Sequence, residues 1–476
     1  IKPSNQINLF DNSTDNKSNF ENHSENTAAV NNSIFKSLQK NIADTSENYV
    51  ISKNEFGKGK SSDKTKCLDN IVAIESLKNI ENSGNIASKE EQKKLVKYTG
   101  WGKLAQSIFS GAKKEWEGAA NRIKSLLTDK EYKDAEKSSL TAFYTPIKII
   151  DFIYSVLDRM GFTGGRILEP SCGIGNFFGR MPKKLQSRIR CTGVELDTIT
   201  AKIAKLLYPK NKILNKGFEN TDFEESSFDL IIGNVPFGNY NVFDEKYNKY
   251  KFKIHNYFFA KSLDLVRPGG IIAFVTSHFT MDSKDESIRK YINQRADLLG
   301  AVRLPNKIFG DTETLSDIIF LQKREIISSK DSSWLYIAKN QDGITVNQYY
   351  IEHPEMIAGK LQLSKNTNQY GKYDVIVKAN ADTDKTLNSI IKYFPSNIYE
   401  EIEDDSSYLF NNTEKISADS YPDIKDNAFV IINEKIYQRH GNSMVPLITN
   451  TSDERRIKHL LKLKEALKEV IDIQIE

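Results

Sequence analysis

Between Ile147 and Lys323 short apolar runs alternate with stretches in which apolar side chains recur at helical spacing. A period of two that switches repeatedly to 3.6 is how a strand–helix–strand repeat appears in a sequence, and each crossover returns the next strand parallel to the last. The runs fall at Arg166–Glu169, Arg190–Leu196, Lys212–Asn215, Phe228–Gly233, Ile271–Thr276, Leu298–Arg303 and Ile318–Lys323, giving seven candidate strands. Helical stretches lie between the earlier ones, at Ile147–Arg159, Thr198–Leu207, Tyr257–Val266 and Ser287–Gln294. Only a loop from Leu304 to Asp317 separates the final pair, so these two are expected to run antiparallel. The fold predicted is α/β, with a Rossmann-like, doubly wound core over residues 141–325.

The flanks read differently. Residues 1–65 are rich in Asn, Ser, Asp and Lys, a composition that cannot offset the entropy of ordering, and are expected to be a disordered polar tail. Residues 66–140 carry helical spacing and are expected to form a helical N-terminal subdomain; within it Tyr98-Thr-Gly-Trp-Gly102 reads as a hydrophobic corner plug or as a turn approaching a nucleic-acid backbone. Residues 326–450 are expected to be a small mixed α/β domain. Residues 451–476 read as an amphipathic helix, with Ile457, Leu460, Leu461, Leu467, Val470 and Ile471 on one face after a Thr451-Ser452-Asp453 cap. The chain begins at Ile1 and reads as a fragment of a longer polypeptide.

Composition excludes more than it selects. A formal charge of +4 means that any nucleic-acid surface must come from local clustering of Lys and Arg. The three cysteines, Cys67, Cys172 and Cys191, lie far apart, which speaks against a disulfide scaffold and a structural zinc site and for a reducing cytoplasm. With six scattered histidines no metal is expected. No run of about 18 apolar residues is present, so no membrane contact is expected, and no GxxxxGK[ST] loop supports ATP hydrolysis.

Three segments carry chemistry. In Ile167-Leu-Glu169-Pro170-Ser-Cys-Gly173-Ile-Gly175-Asn176 a strand ends in an acid and passes through glycines into a helix, where a backbone without side chains allows a ligand close approach. Alone, the glycines fit a structural turn equally well. About 20 residues on, Glu195 in Gly193-Val-Glu195-Leu196-Asp197 ends a strand at the spacing that suits a carboxylate gripping ribose hydroxyls; alone, it reads as an acid favoured at a helix start. Together they suggest a nucleoside-containing cofactor. Third, Asn234-Val235-Pro236-Phe237 follows the fourth strand. An exocyclic amine on a purine is a poor nucleophile because its lone pair is delocalised. Two acceptors for its hydrogens, the Asn234 amide oxygen and the Val235 carbonyl, would draw it toward a reactive geometry, and Phe237 would stack on a base turned out of the duplex.

These motifs resemble the N6-adenine DNA methyltransferases of the gamma arrangement, in which a cofactor motif precedes an NPPF-type catalytic motif. Phe143-Tyr144-Thr145-Pro146 resembles the family's motif before the sheet, whose backbone helps enclose the methionine part of S-adenosylmethionine. By the same resemblance Glu169, Pro170, Gly173, Gly175 and Asn176 would line that part, and Glu195 with Leu196 would hold the ribose end. Phe218 stands by spacing where many relatives place an aspartate near the cofactor adenine, with Glu219 beside it to take the adenine amine. Val235 replaces the usual first proline, which leaves the carbonyl but loosens the loop. His255-Asn-Tyr-Phe258, Arg267-Pro-Gly-Gly270 and Leu299-Gly-Ala-Val-Arg303 are similar to the methylase portion of large helicase–methylase proteins of conjugative elements and phages, implying a helicase module or partner in cis or trans. Tyr240 to Lys253 interleaves aromatic and basic residues and reads as a strand-gripping lid or a packed loop. His255 and His278 are expected to satisfy local backbone groups and Cys172 to fill space.

The activity these readings predict is methyl transfer from S-adenosylmethionine to adenine N6 in DNA. Methylation of RNA or of a protein glutamine, and a non-catalytic DNA-binding or anti-restriction module, stay open as alternatives.

Overall fold

A computed structural model describes residues 47–53, 55, 62–102, 104–109, 114–138, 144–310, 314–367, 373–401, 416–422, 424–425, 428–433, 435–440, 443–447, 456–464 and 466–467. Most of the expected tail, together with Phe143, the Thr451-Ser452-Asp453 cap, Val470 and Ile471, lies outside the described residues. Against the disordered reading, the Tyr49 and Ile51 amides donate to the Leu207 and Gly179 carbonyls, each at 2.8 Å, and Ile51 is fully buried. The chain divides into two compact units at Glu400/Glu401, inside the span 326–450 that the sequence assigns to one small domain.

The first unit is built on a seven-stranded sheet in the order β3-β2-β1-β4-β5-β7-β6. Its strands are β1 (Gly165–Glu169), β2 (Ile189–Glu195), β3 (Lys212–Asn215), β4 (Phe228–Asn234), β5 (Val266–Ser277), β6 (Ala296–Arg303) and β7 (Ser316–Lys323). β7 runs antiparallel to both β5 and β6, and the other neighbours pair parallel. The α/β reading is therefore correct, as is the antiparallel final pair. The expected helices Ile147–Arg159 and Thr198–Leu207 are present with those bounds, the second capped by Asp197, whose Oδ1 accepts from the Thr200 amide at 2.8 Å.

Both faces of the sheet are buried, and alternate side chains enter different cores. Ile167, Leu230, Ile232 and Val275 face one core with the Ile147–Arg159 and Thr198–Leu207 helices. Leu168, Ile231, Ile272 and Phe274 face the other, with Ile254–Leu265 and Ser287–Arg295. This is the period-two consequence of a sheet covered on both sides.

Strand β5 starts five residues earlier than the apolar run suggests, because Val266 already pairs with Phe228 before an irregularity at the Pro268-Gly269 turn. The polar residues there are compensated: Arg267 Nε donates to Asp229 Oδ1 at 2.6 Å, and Asp229 also accepts from Arg166. The helix after β4 likewise begins at Ile254, since His255 and Asn256 are buried rather than exposed.

Residues 333–399 add two hairpins and short helices that pack onto both cores, with Phe394 edge-on to Phe320 at 4.9 Å and Trp334, Val346 and Tyr350 on the opposite face. A buried ion cluster binds this region: Arg303 bridges Asp317 at 2.9 Å and Asp282 at 2.7 Å, with its guanidinium 4.2 Å from the Tyr350 ring centre.

In the second unit, Ile416–Ser417, Ser443–Pro446, Lys435–His440 and Phe429–Ile432 form, in that order, a four-stranded antiparallel sheet. Residues 456–464 and 466–467 are helical, with Leu460 and Leu467 exposed. No helix among the described residues is long and apolar enough to cross a membrane.

Removing one member of a buried ion cluster strands the other charges. Arg303→Ala is therefore expected to destabilise the fold by about 3–5 kcal/mol, read as a lower urea midpoint; an unchanged midpoint contradicts the role assigned to the cluster.

Candidate functional site

At the carboxyl edge of the sheet, β1 is flanked by β2 on one side and β4 on the other. The connections leaving β1 and β4 run to opposite halves of the molecule, which opens a crevice at this switch point. A cavity of about 230 Å³ lies here.

Its lining brings together thirteen of the fifteen residues singled out in the sequence: Thr145, Glu169, Pro170, Gly173, Asn176, Glu195, Leu196, Phe218, Glu219, Asn234, Val235, Pro236 and Phe237. Pro146 and Gly175 are outside that lining. Pro146 instead stands at the N-cap of the Ile147–Arg159 helix. Gly175, at φ +87°, is glycine for internal packing, since a Cβ there would stand 2.5 Å from the Tyr208 ring. Gly173 does face the cavity, at φ +55°, with the Tyr144 ring behind it.

Two carboxylates dominate the electrostatics. Glu169, at the end of β1, is 2% exposed, and burial with added repulsion from Glu195 pushes its carboxyl well above the usual range. Glu169 Oε2 and the nearby Asn176 Oδ1 are buried without a hydrogen-bond partner among the described residues. Glu195 is better solvated, accepting from the Gly173 amide at 2.9 Å and the Asp197 amide at 2.8 Å. Burial, with Asp197 adding repulsion, nevertheless pushes it up to about 7. Buried acceptors lacking donors, beside two acids pushed upward by burial, describe a site shaped for a ligand that brings cationic or hydroxyl donors.

The Asn234–Phe237 loop is fixed from three directions. The Val235 amide donates to the Val275 carbonyl at 3.0 Å, continuing the β4–β5 ladder by one bond that a proline could not make. The Val235 side chain is buried, and Ser171 Oγ donates to the Asn234 carbonyl at 2.9 Å. The loosening expected from the missing proline is therefore offset by a backbone tether. Behind the loop the His255 ring is buried, which pushes it down to about 4; His278 Nδ1 lies 3.1 Å from the Leu315 carbonyl oxygen.

The segment from Tyr240 to Lys253 is a packed loop that also carries exposed aromatic rings. Tyr247 and Phe252 are buried, and the Tyr257 and Tyr247 hydroxyls donate to Asp244 and Asp264, each at 2.6 Å. Phe243, 80% exposed, and Tyr240 project from this anchored base. Buried Lys261 ties the segment to the opposite wall, donating to the Phe218 carbonyl at 2.8 Å while pairing with Asp244 at 3.2 Å. Cys172 is buried and its thiol is pushed up by burial, consistent with a space-filling role. Among the described residues, no group of three or more His, Cys, Asp or Glu is placed to hold a metal ion.

Tyr144 lines the cavity as part of the motif before the sheet, whereas sequence reasoning did not assign Tyr98, Gly100, Asp197 or Thr200 to the lining. Asp197 adjoins residues that were assigned, so proximity in sequence could have found it. Tyr98 and Gly100 arrive from a distant turn, which only tertiary packing reveals.

A doubly wound sheet with a seventh strand inserted antiparallel, and one cavity at its switch point, defines the class of S-adenosylmethionine-dependent methyltransferases. Residues 126–398 match the sequence profile of the N-6 DNA Methylase family, and the chain belongs to that family. The chain is 30% identical over 193 residues to Defense against restriction protein B of Escherichia phage P1, a match covering 39% of this chain and 8% of that protein. The chain thus spans less than a tenth of that relative. Among solved structures it is similar to the type I restriction-modification system methyltransferase subunit from Streptococcus thermophilus (TM-score 0.38, 15% identity, 79% of this chain and 81% of the other). It is also similar to TrmN from Thermus thermophilus (TM-score 0.26, 17% identity, 36% and 48%).

A carboxyl raised in the folded state makes ionisation unfavourable to folding. Stability should be fullest below about 4.5, the ordinary glutamate value, and fall as pH rises to about 7. Thermal melts between pH 5 and 8 should show this decline, reduced in Glu195→Gln; a decline of unchanged size places the responsible proton elsewhere.

Proposed function

We propose that this chain methylates the N6 amine of adenine in DNA, with Asn234 and Val235 as the amine acceptors. The observation that carries the reading is that Glu195 and the Asn234–Phe237 loop line one cavity, in which Glu169 Oε2 and Asn176 Oδ1 lack donors among the described residues. S-adenosylmethionine supplies an electrophilic methyl group on a sulfonium, together with an ammonium, ribose hydroxyls and an adenine.

Each of these groups has a counterpart in the lining. The Glu169 carboxyl and Asn176 Oδ1 offer acceptors to the ammonium, whose positive charge would oppose the upward push of burial on Glu169. The Glu195 carboxylate accepts from the ribose hydroxyls while the Gly173 and Asp197 amides hold it in place. Thr145 and Pro170 enclose the methionine part, and Pro146 acts at one remove by starting the helix behind it. Leu196 and Phe218 flank the adenine, with Glu219 at hand for its amine.

On the substrate side the Asn234 amide oxygen and the Val235 carbonyl accept the two hydrogens of the target amine. This localises the nitrogen lone pair for attack. Pro236 sets the turn, and Phe237 stacks on the base after it leaves the helix. Rate enhancement would come from positioning and polarisation, without covalent attachment to the protein. A helicase in cis or trans is the partner implied by the resemblance to helicase–methylase proteins, and the cytoplasm is the compartment where that DNA would be met.

Tritium transfer from labelled cofactor should appear in duplex DNA as N6-methyladenine; label confined to RNA or protein refutes the substrate assigned. Asn234→Ala is expected to lower kcat by at least about 10²-fold, with cofactor affinity unchanged by calorimetry. Turnover at the parent rate contradicts the role of Asn234.

A further inference from the structure

The turn Tyr98–Trp101 lies outside the span 126–398 that matches the family, yet Tyr98 and Gly100 line the cavity beside Glu195 and Tyr144. Its shape is imposed by one side chain. Asn70, fully buried in the Asp63–Ser83 helix, donates from Nδ2 to the Gly100 carbonyl at 2.6 Å and accepts from the Thr99 amide at 2.8 Å. Gly100 itself sits at φ +64°, where any other residue would be strained. Trp101, 2% exposed, packs edge-on against Tyr98 at 6.4 Å and Phe109 at 5.4 Å, fixing the turn from behind. Tyr98 shares the cavity wall with Thr200, Asp197 and Glu195 and lies in the fields of the two acids.

The layer carrying this turn is joined to the sheet domain by charge. Lys202, on the helix after β2, pairs with Glu131 at 2.9 Å and with Glu81 at 2.8 Å, and Lys78 also reaches Glu131 at 2.8 Å. A corner plug requires only that the aromatic rings be buried. It does not require a braced, left-handed turn ending at the wall of the cavity next to the acid assigned to the ribose.

We propose that the Tyr98–Trp101 turn is a wall of the cofactor site, with the Tyr98 hydroxyl and the Gly100 backbone closing the ribose end of a bound S-adenosyl nucleoside. The N-terminal helices are then part of the binding site, and Tyr98 is a cofactor-affinity residue. This rests on the cofactor reading above, and the test separates the two.

Calorimetric titration of the full chain with S-adenosylmethionine comes first, and absence of binding to the parent protein defeats the cofactor reading itself. Given binding, Tyr98→Phe is expected to weaken it about 3- to 10-fold, the worth of one hydrogen bond, with the melting temperature of the cofactor-free protein unchanged. Hydrogen–deuterium exchange on the parent chain supplies a measurement that needs no variant. The amides of Thr99 to Trp101 should gain protection on addition of S-adenosylmethionine. Affinity unmoved by Tyr98→Phe, or no added protection at these amides, overturns the proposal and leaves the turn a corner plug.

Discussion

The ladder between β1 and β4 governs where everything else can be. Ile167 pairs with Leu230 and Leu168 with Ile231, so both strands reach the same edge side by side. The acid that ends β1 then stands directly beside the residues that end β4. Their approach is close: a Cβ at Gly233 would stand 3.3 Å from Glu169 Cγ, so a side chain there would press on the acid. Since the connection from β1 turns toward β2 and that from β4 toward β5, the crevice between them is a consequence of strand order alone.

The strands and helices of the sheet domain could be read because each buries a defined face, and burial on one face leaves a period in the sequence. The reading failed where polar residues are buried with partners. Arg267 hides inside the start of β5, paired with Asp229 of β4, and His255 and Asn256 hide inside a helix, so the hydrophobic pattern ends before the element does. Residues 333–399 gave only a weak pattern because short hairpins that pack on two cores need few apolar positions each. At the site, the residues found were those whose chemistry is unusual at a strand end: Glu169, Glu195 and Asn234. Gly175 shows the opposite case, a glycine kept for the Tyr208 ring rather than for a ligand.

The helical layer before the sheet illustrates a limit of reading by segment. Asn70, Glu81 and Glu131 are ordinary helix residues in sequence. Folded, the first shapes a turn at the cavity, and the other two grip Lys202 on the far side of the chain. Long-range pairs of this kind leave no local periodicity.

The bond from the Val235 amide to the Val275 carbonyl makes the reactive loop the last rung of the sheet. Such a loop behaves as a gauge of set width. For the reaction proposed, it would not stretch to meet a nucleobase whose amine sits at a different reach from the sugar. Discrimination between adenine and other bases would then come from failure to line up with two stationary oxygens rather than from collision. Adaptation to different DNA sequences would have to reside in the segments around the loop, leaving the point of chemistry unchanged.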